Sequence, residues 1–178
     1  TTLLPPKKYF LPQYETIMKF DLSRPFEVDV PDFPRRKVLI GVHPYDMVAL
    51  RQMDSFFLDT EASSAFLKRR KNTLIIAADV LKVSEKAFFG SMGTGHIHSG
   101  YDLYISDMGE KVAIEIGTEE GGQLLAYASN LHDASPVDVQ KVRALREAAI
   151  SAAMRGLKVS PKGWHDLLEK NFESEIWK

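Results

Sequence analysis

Not one of the 178 residues is cysteine. That absence excludes a disulfide, a thiolate nucleophile, and any thiolate-ligated zinc or iron-sulfur cluster held by this chain. A charge bias is lacking as well: 23 basic side chains stand against 24 acidic ones, a net charge of −1, so nothing directs the chain to nucleic acid or to a strongly charged membrane surface. No apolar run approaches bilayer-spanning length, and the opening Thr1-Thr-Leu-Leu-Pro-Pro6 lacks the charged-then-apolar order of a signal peptide. The expectations are therefore no membrane insertion and a cytoplasmic location. There is no Gly-x-Ser-x-Gly elbow or other nucleophile signature, so no catalytic residue is assigned and no enzymatic activity of the chain on its own is expected. Repeats, low-complexity tracts and linkers are missing too. With 44% hydrophobic and 26% charged residues, the composition is that of one globular domain spanning residues 1–178.

What is present centres on Thr73 to Gly117. Thr73-Leu-Ile-Ile-Ala-Ala78 reads as a buried strand. Tyr101-Asp-Leu-Tyr-Ile-Ser106 and Lys111-Val-Ala-Ile-Glu-Ile116 flank Asp107-Met-Gly-Glu110, whose glycine suits a tight turn, and the two runs are predicted to form an antiparallel hairpin. Upstream, Val38-Leu-Ile-Gly-Val42 is continuously apolar. His43-Pro44 and Asp46 then mark a helix start, with Met47, Leu50 and Phe57 recurring at helical spacing. A second helix from Thr60 to about Lys71 leads into Thr73, completing a β-α-β unit with parallel strands. The N-terminal runs Lys7–Leu11, Glu15–Phe20 and Phe26–Val30, broken by Pro12, Pro25, Pro31 and Pro34, are predicted as short edge strands. Downstream come a short helix from Gln123 to about Ser129 and a longer one opened by Ser135-Pro136 and Asp138. The longer helix has an apolar stripe of Val142, Leu145, Ala149 and Ala152 and a stop near Gly156. A last helix after Ser160-Pro161 should bury Trp164, Leu167, Leu168 and Phe172. The predicted fold class is α/β, with α+β as the alternative: a mixed sheet containing a parallel β-α-β unit, an antiparallel hairpin and C-terminal helices.

The segment from Val80 to Gly100 is too long for a simple connection, and such a loop either carries a site or packs as a lobe. Within it, Gly90-Ser-Met-Gly-Thr-Gly95 offers backbone amides, at Gly93, Thr94 and Gly95, that could cradle a ligand together with Asp46. It lacks the P-loop lysine, and a structural turn is the favoured reading. His96-Ile-His98 puts two imidazoles on one side of an extended segment and, with His43 or a carboxylate, could bind a divalent transition metal. No third ligand is identifiable, and no metal is assigned. Lys68-Arg-Arg-Lys71 at a helix end and Glu119-Glu120 at a helix start both suit the helix macrodipole.

Several of these residues together carry a resemblance. Gly41-Val-His-Pro-Tyr-Asp46, Arg69-Arg70, Ser91-Met-Gly-Thr-Gly95, Gly100-Tyr-Asp-Leu103, Asp107-Met-Gly109 and Glu115-Ile-Gly-Thr118 resemble the N-terminal domain of iron-sulfur electron-transfer subunits. These are the proteins that resemble the electron-transfer subunit of anaerobic sulfite reductase and the beta subunit of cytoplasmic sulfhydrogenases. The resemblance runs from about Lys7 to Trp177, and its most specific part is Ser-Met-Gly-Thr-Gly followed by Gly-Tyr-Asp-Leu. It implies a domain that holds a [4Fe-4S] cluster by cysteines, followed in the same chain by a ferredoxin-like domain with further clusters.

This chain departs from that pattern at every ligand. The positions matching the family's four cluster cysteines are Tyr45, Val80, Ala87 and Phe89; neither Val, Ala nor Phe can donate to iron, and only the Tyr45 phenol retains a weak capacity. The resemblance thus implies a cluster-less relative, with no cofactor in this chain and a [4Fe-4S] cluster only in a following or partner domain. Two readings stand. One is a structural or interaction domain of a redox complex of the hydrogenase or sulfite reductase type, docking an iron-sulfur or catalytic subunit. The other is a small-molecule or metal-binding module that reuses the former cluster cavity. The apolar end Ile176-Trp177 suggests the N-terminal part of a longer chain, or self-association through the C-terminal helices.

Overall fold

The computed structural model describes residues 5–16, 18–29, 35–58, 64–157 and 160–177. Among the described residues, six strands and five α-helices follow in the order β1 (Lys19–Asp21), β2 (Arg24–Asp29), β3 (Lys37–Val42), α1 (Pro44–Leu58), α2 (Ser64–Lys71), β4 (Thr73–Ala78), β5 (Leu103–Asp107), β6 (Val112–Ile116), α3 (Glu119–Leu124), α4 (Pro136–Ala152) and α5 (Trp164–Lys170). The sheet order is β3-β4-β5-β6, with β1 and β2 forming a separate antiparallel pair. β3 and β5 both run parallel to β4, and β6 returns antiparallel to β5. The fold is the α/β arrangement read from the sequence: a mixed sheet with a parallel β-α-β unit, a hairpin and C-terminal helices.

Local chemistry explains the joints. Gly41 adopts φ +79° where the β3–β4 register slips between Ile40 and Val42, a bulge that only glycine enters without strain and that turns Val42 inward. The His43 carbonyl then accepts from the amides of Asp46 and Met47, both at 3.0 Å, and starts α1 behind Pro44. Along β4 the side chains alternate between buried (Thr73, Ile75, Ala77) and half-buried (Leu74, Ile76, Ala78), which defines an inner and an outer sheet face. Ile75, Ala77 and Tyr104 of the inner face pack with Met47 and Leu50 of α1 and Phe66 of α2. Each fully buried Ile, Leu, Met or Phe among them is worth about 1.5–3 kcal/mol of transfer free energy.

Asp102 locks the hairpin to this unit. Its carboxylate accepts from the Ile75 amide at 2.7 Å and from the Thr118 hydroxyl at 2.6 Å, while Thr118 caps α3 by accepting from the Gly121 amide. A Cβ at Gly117 would collide with the Tyr101 carbonyl, and one at Gly121 with the Asp102 carbonyl. The Gly-Tyr-Asp-Leu and Gly-Thr motifs are thus parts of one structural joint.

Some expectations are corrected. The run Lys7–Leu11 is not a strand: Pro6–Tyr9 form a 3-10 turn, since Pro5-Pro6 fix φ at its start and Phe10 is fully buried, its carbonyl accepting from Arg69 at 2.8 Å. Buried Arg69 also pairs with Glu15, so it is no solvated helix end. α3 begins at Glu119 rather than Gln123, because Thr118 supplies the cap, and a 3-10 turn, Leu125–Tyr127, continues it. α4 starts as predicted, with a reciprocal Ser135–Asp138 capping box. Val142 and Ala149 of the predicted stripe face inward, together with Arg146, Ile150 and the capping residue Ala153, whereas Ala152 is exposed and Leu145 is 41% exposed. Most of the face expected to be buried on the last helix is exposed: Trp164 is half-buried, but Leu167 and Leu168 are exposed and Phe172 is 78% exposed. Residues 60–63 of the predicted second helix, Ile17, Val30, Pro31 and Pro34 lie outside the described residues.

Candidate functional site

The parallel strands β3 and β4 deliver their chain ends to one edge of the sheet, the position at which α/β folds place their sites. From the end of β3, His43 turns back to β4, its Nδ1 3.2 Å from the Ala78 carbonyl. The Tyr45 ring lies 5.4 Å from that of His43 and 5.5 Å from that of Phe89, centroid to centroid. Residues 44 positions apart in the chain therefore meet. Val80 follows Ala78 by two residues and Ala87 precedes Phe89 by two; both are half-buried, and Phe89 is buried. Burial, and after it the Asp46 carboxylate, raises the Tyr45 pKa and keeps the phenol protonated. Burial likewise raises the pKa of Asp46 against the opposing pull of His43 and Lys7. A neutral phenol, two aliphatic side chains and a packed phenyl ring do not fit an iron-sulfur cluster, which demands thiolate donors.

The glycine loop is committed to packing. Within it the amides of Met92, Gly93 and Thr94 donate to the carbonyls of Phe88, Gly90 and Phe89. The Ser91 hydroxyl donates to the Arg155 carbonyl at 2.8 Å. A Cβ at Gly90 would collide with the Ile150 carbonyl, and one at Gly95 would stand 2.6 Å from Ile150 Cγ1. The loop thus seats the C-terminal end of α4, and two of the three amides proposed to cradle a ligand, those of Gly93 and Thr94, are occupied. His96 and His98 stack edge to face with ring centroids 4.4 Å apart. No group of three His, Asp or Glu side chains among the described residues could hold a metal ion.

The densest polar cluster is one that the sequence pattern did not single out. Arg146, on the inward face of α4, reaches across β4, β5 and β6. Its Nε donates to both carboxylate oxygens of Asp79 at 3.0 and 3.2 Å, and its Nη2 donates to the Ser106 hydroxyl at 2.8 Å. It also pairs with Glu115 at 2.6 Å, and its guanidinium lies 4.1 Å from the centroid of the Tyr104 ring. The Tyr104 hydroxyl donates to Asp79 at 2.6 Å. Burial opposes the Arg146 charge, but Asp79, Tyr104 and Glu115 outweigh it and hold the pKa above the ordinary value. Burial and the bond to Asp79 push the Tyr104 phenol far up. His96 Nδ1 is buried with no hydrogen-bond partner, and its pKa is lowered by burial and by His98 and Arg146, against the pull of Glu115 and Asp79. The signal available in the sequence was weak: an arginine four residues from both Val142 and Ile150, and a glutamate inside the β-prone run Val112–Ile116.

Over 178 residues, the chain is 25% identical to sulfhydrogenase 2 subunit beta of Pyrococcus furiosus, an alignment covering 99% of this chain and 52% of that protein. The similarity extends along the whole chain, which spans about half the length of that relative and contains no cysteine. No family model and no solved structure matches the chain. Among the described residues, no helix is long and apolar enough to cross a membrane.

Proposed function

We propose that this chain is a cluster-less structural and interaction domain within a cytoplasmic redox complex of the hydrogenase or sulfite reductase type. In this reading, iron-sulfur clusters reside in another domain or a partner polypeptide, and the chain positions them without carrying electrons itself. The observation that carries the proposal is the contact between Tyr45 and Phe89, two positions matched to cluster cysteines, in a chain similar over its full length to a sulfhydrogenase beta subunit. Packed rings supply the van der Waals contacts that an emptied cluster site would lack, and a void of that size would cost several kcal/mol. The ligand-module alternative finds less support, because the loop amides of Gly93 and Thr94 bond within the loop.

The test is anaerobic affinity purification from the native host, followed by dissociation of the complex. Iron and acid-labile sulfide should stay with a partner or another domain outside residues 1–178. Stoichiometric iron remaining with the 178-residue chain, or its recovery with no iron-sulfur protein bound, would overturn the assignment.

A further inference from the structure

Among the described residues, the Nδ1 of His96 is the only side-chain nitrogen or oxygen buried without a hydrogen-bond partner. A neutral imidazole tolerates this, because one of its nitrogens carries no proton. An imidazolium does not: both nitrogens are then donors and the ring is charged, so Nδ1 becomes a buried, charged donor with no acceptor. The fold around His96 therefore accepts only the neutral ring.

The surroundings add to the penalty. On its own loop His96 meets the His98 ring edge to face, with 4.4 Å between centroids, so acid would place two imidazolium rings side by side. From α4 the Arg146 guanidinium also repels a charge on His96. The carboxylates that would attract it, Asp79 after β4 and Glu115 of β6, are already paired with Arg146. The titratable group of β5, the Tyr104 hydroxyl, is bonded to Asp79.

The position of the ring turns this local penalty into a structural one. His96 lies between Gly95, whose Cβ would stand 2.6 Å from Ile150 Cγ1 of α4, and Ile97, a member of the core. The loop around it, 89–98, contains neither helix nor strand. It meets the C-terminal end of α4 through Gly90, Gly95 and the Ser91 hydroxyl. A segment without ladder hydrogen bonds opens at lower cost than the core strands beneath it.

We infer that His96 is an acid-sensitive latch: its protonation expels the ring and releases the 89–98 loop from the C-terminal half of α4, while the sheet stays folded. The latch follows from the packing of these residues and is independent of the proposed redox role.

Hydrogen exchange read by mass spectrometry tests this on the whole chain. Between about pH 7 and 5, after correction for intrinsic exchange, peptides covering 88–98 and 146–156 should lose protection. The loss should begin below about pH 6.5 and rise by at most about tenfold per pH unit, the slope of one linked proton. Peptides from β4 and β5 should keep their protection. His96→Gln should hold the neutral-pH protection of both segments in acid, and His96→Phe, which keeps a planar ring without a titratable group, should do the same where the glutamine variant folds poorly. Protection independent of pH in the unmodified chain would overturn the inference. So would an acid loss that persists in the His96 variants, or one shared equally by the sheet peptides.

Discussion

Replacing Arg146 by alanine tests the structure at the point where it departs most from the sequence pattern. The Arg146 and Asp79 side chains are 11% and 12% exposed, so the substitution leaves a buried carboxylate bonded only by the Tyr104 hydroxyl, with no cation beside it. Breaking one side of such a pair costs about 3–5 kcal/mol, most of it the desolvation penalty of the stranded charge. The Glu115 bond adds little, because that carboxylate is 47% exposed and solvent screens it. For a domain of this size the loss amounts to a fall in Tm of about 6–20 °C, or about 2 M in the urea midpoint. Leu145→Ala is the control: the apolar periodicity makes Leu145 a core residue worth about 2–5 kcal/mol, whereas its exposed position limits the cost to under about 1 kcal/mol. Arg146→Met combined with Asp79→Leu should recover much of the single-variant loss, since an apolar pair of similar volume replaces the ion pair without stranding a charge. Urea denaturation of the four proteins decides the matter. If Arg146→Ala costs less than about 1 kcal/mol while Leu145→Ala costs several, α4 is rotated from the orientation described and the polar hub does not exist.

Two further outcomes follow from the long loop. Gly90→Ala should destabilise by about 1–3 kcal/mol, because its Cβ would strike the rigid Ile150 carbonyl; Gly93→Ala, in open space at φ +68°, should cost about 1 kcal/mol from backbone conformation alone, and urea midpoints separate the two. His96 is held below the ordinary histidine pKa in the fold, so the unfolded chain binds the extra proton as pH drops below about 6.5. Stability supplied by neutral His96 is therefore full above that pH and declines as acid is added, down to the folded pKa. His96→Gln should show a smaller loss of stability than the unmodified chain between about pH 7 and 5; equal losses would mean that His96 is not buried uncharged.

Legibility in this sequence follows the range of the interactions. The β3–α1 and β4 segments, the hairpin turn and the Ser135 cap are fixed by neighbours a few residues away, and all are visible in apolar runs, glycine and proline placement and the Ser135-Pro136-Val137-Asp138 signature. The edge strand expected at Lys7–Leu11 fails because local β-propensity yields to a distant contact, the Phe10 carbonyl held by Arg69, 59 residues on. The Arg146 hub fails for the same reason. Its partners Asp79 and Ser106 are 67 and 40 residues away, and an apolar-periodicity count discards a charged residue from the inward face by construction. The meeting of Tyr45 and Phe89 was legible only through the family resemblance, since nothing in periodicity demands it.

The outer sheet face has a sequence signal of its own, apart from any helical or hairpin pattern. Val38-Leu-Ile-Gly-Val42 and Thr73-Leu-Ile-Ile-Ala-Ala78 lack the alternation of a half-exposed strand, and a run apolar on both sides signals two buried faces rather than one. The described helices α1, α2 and α4 place residues against the inner face, through Leu50, Phe66 and Arg146, and only α3 is seen against the outer one.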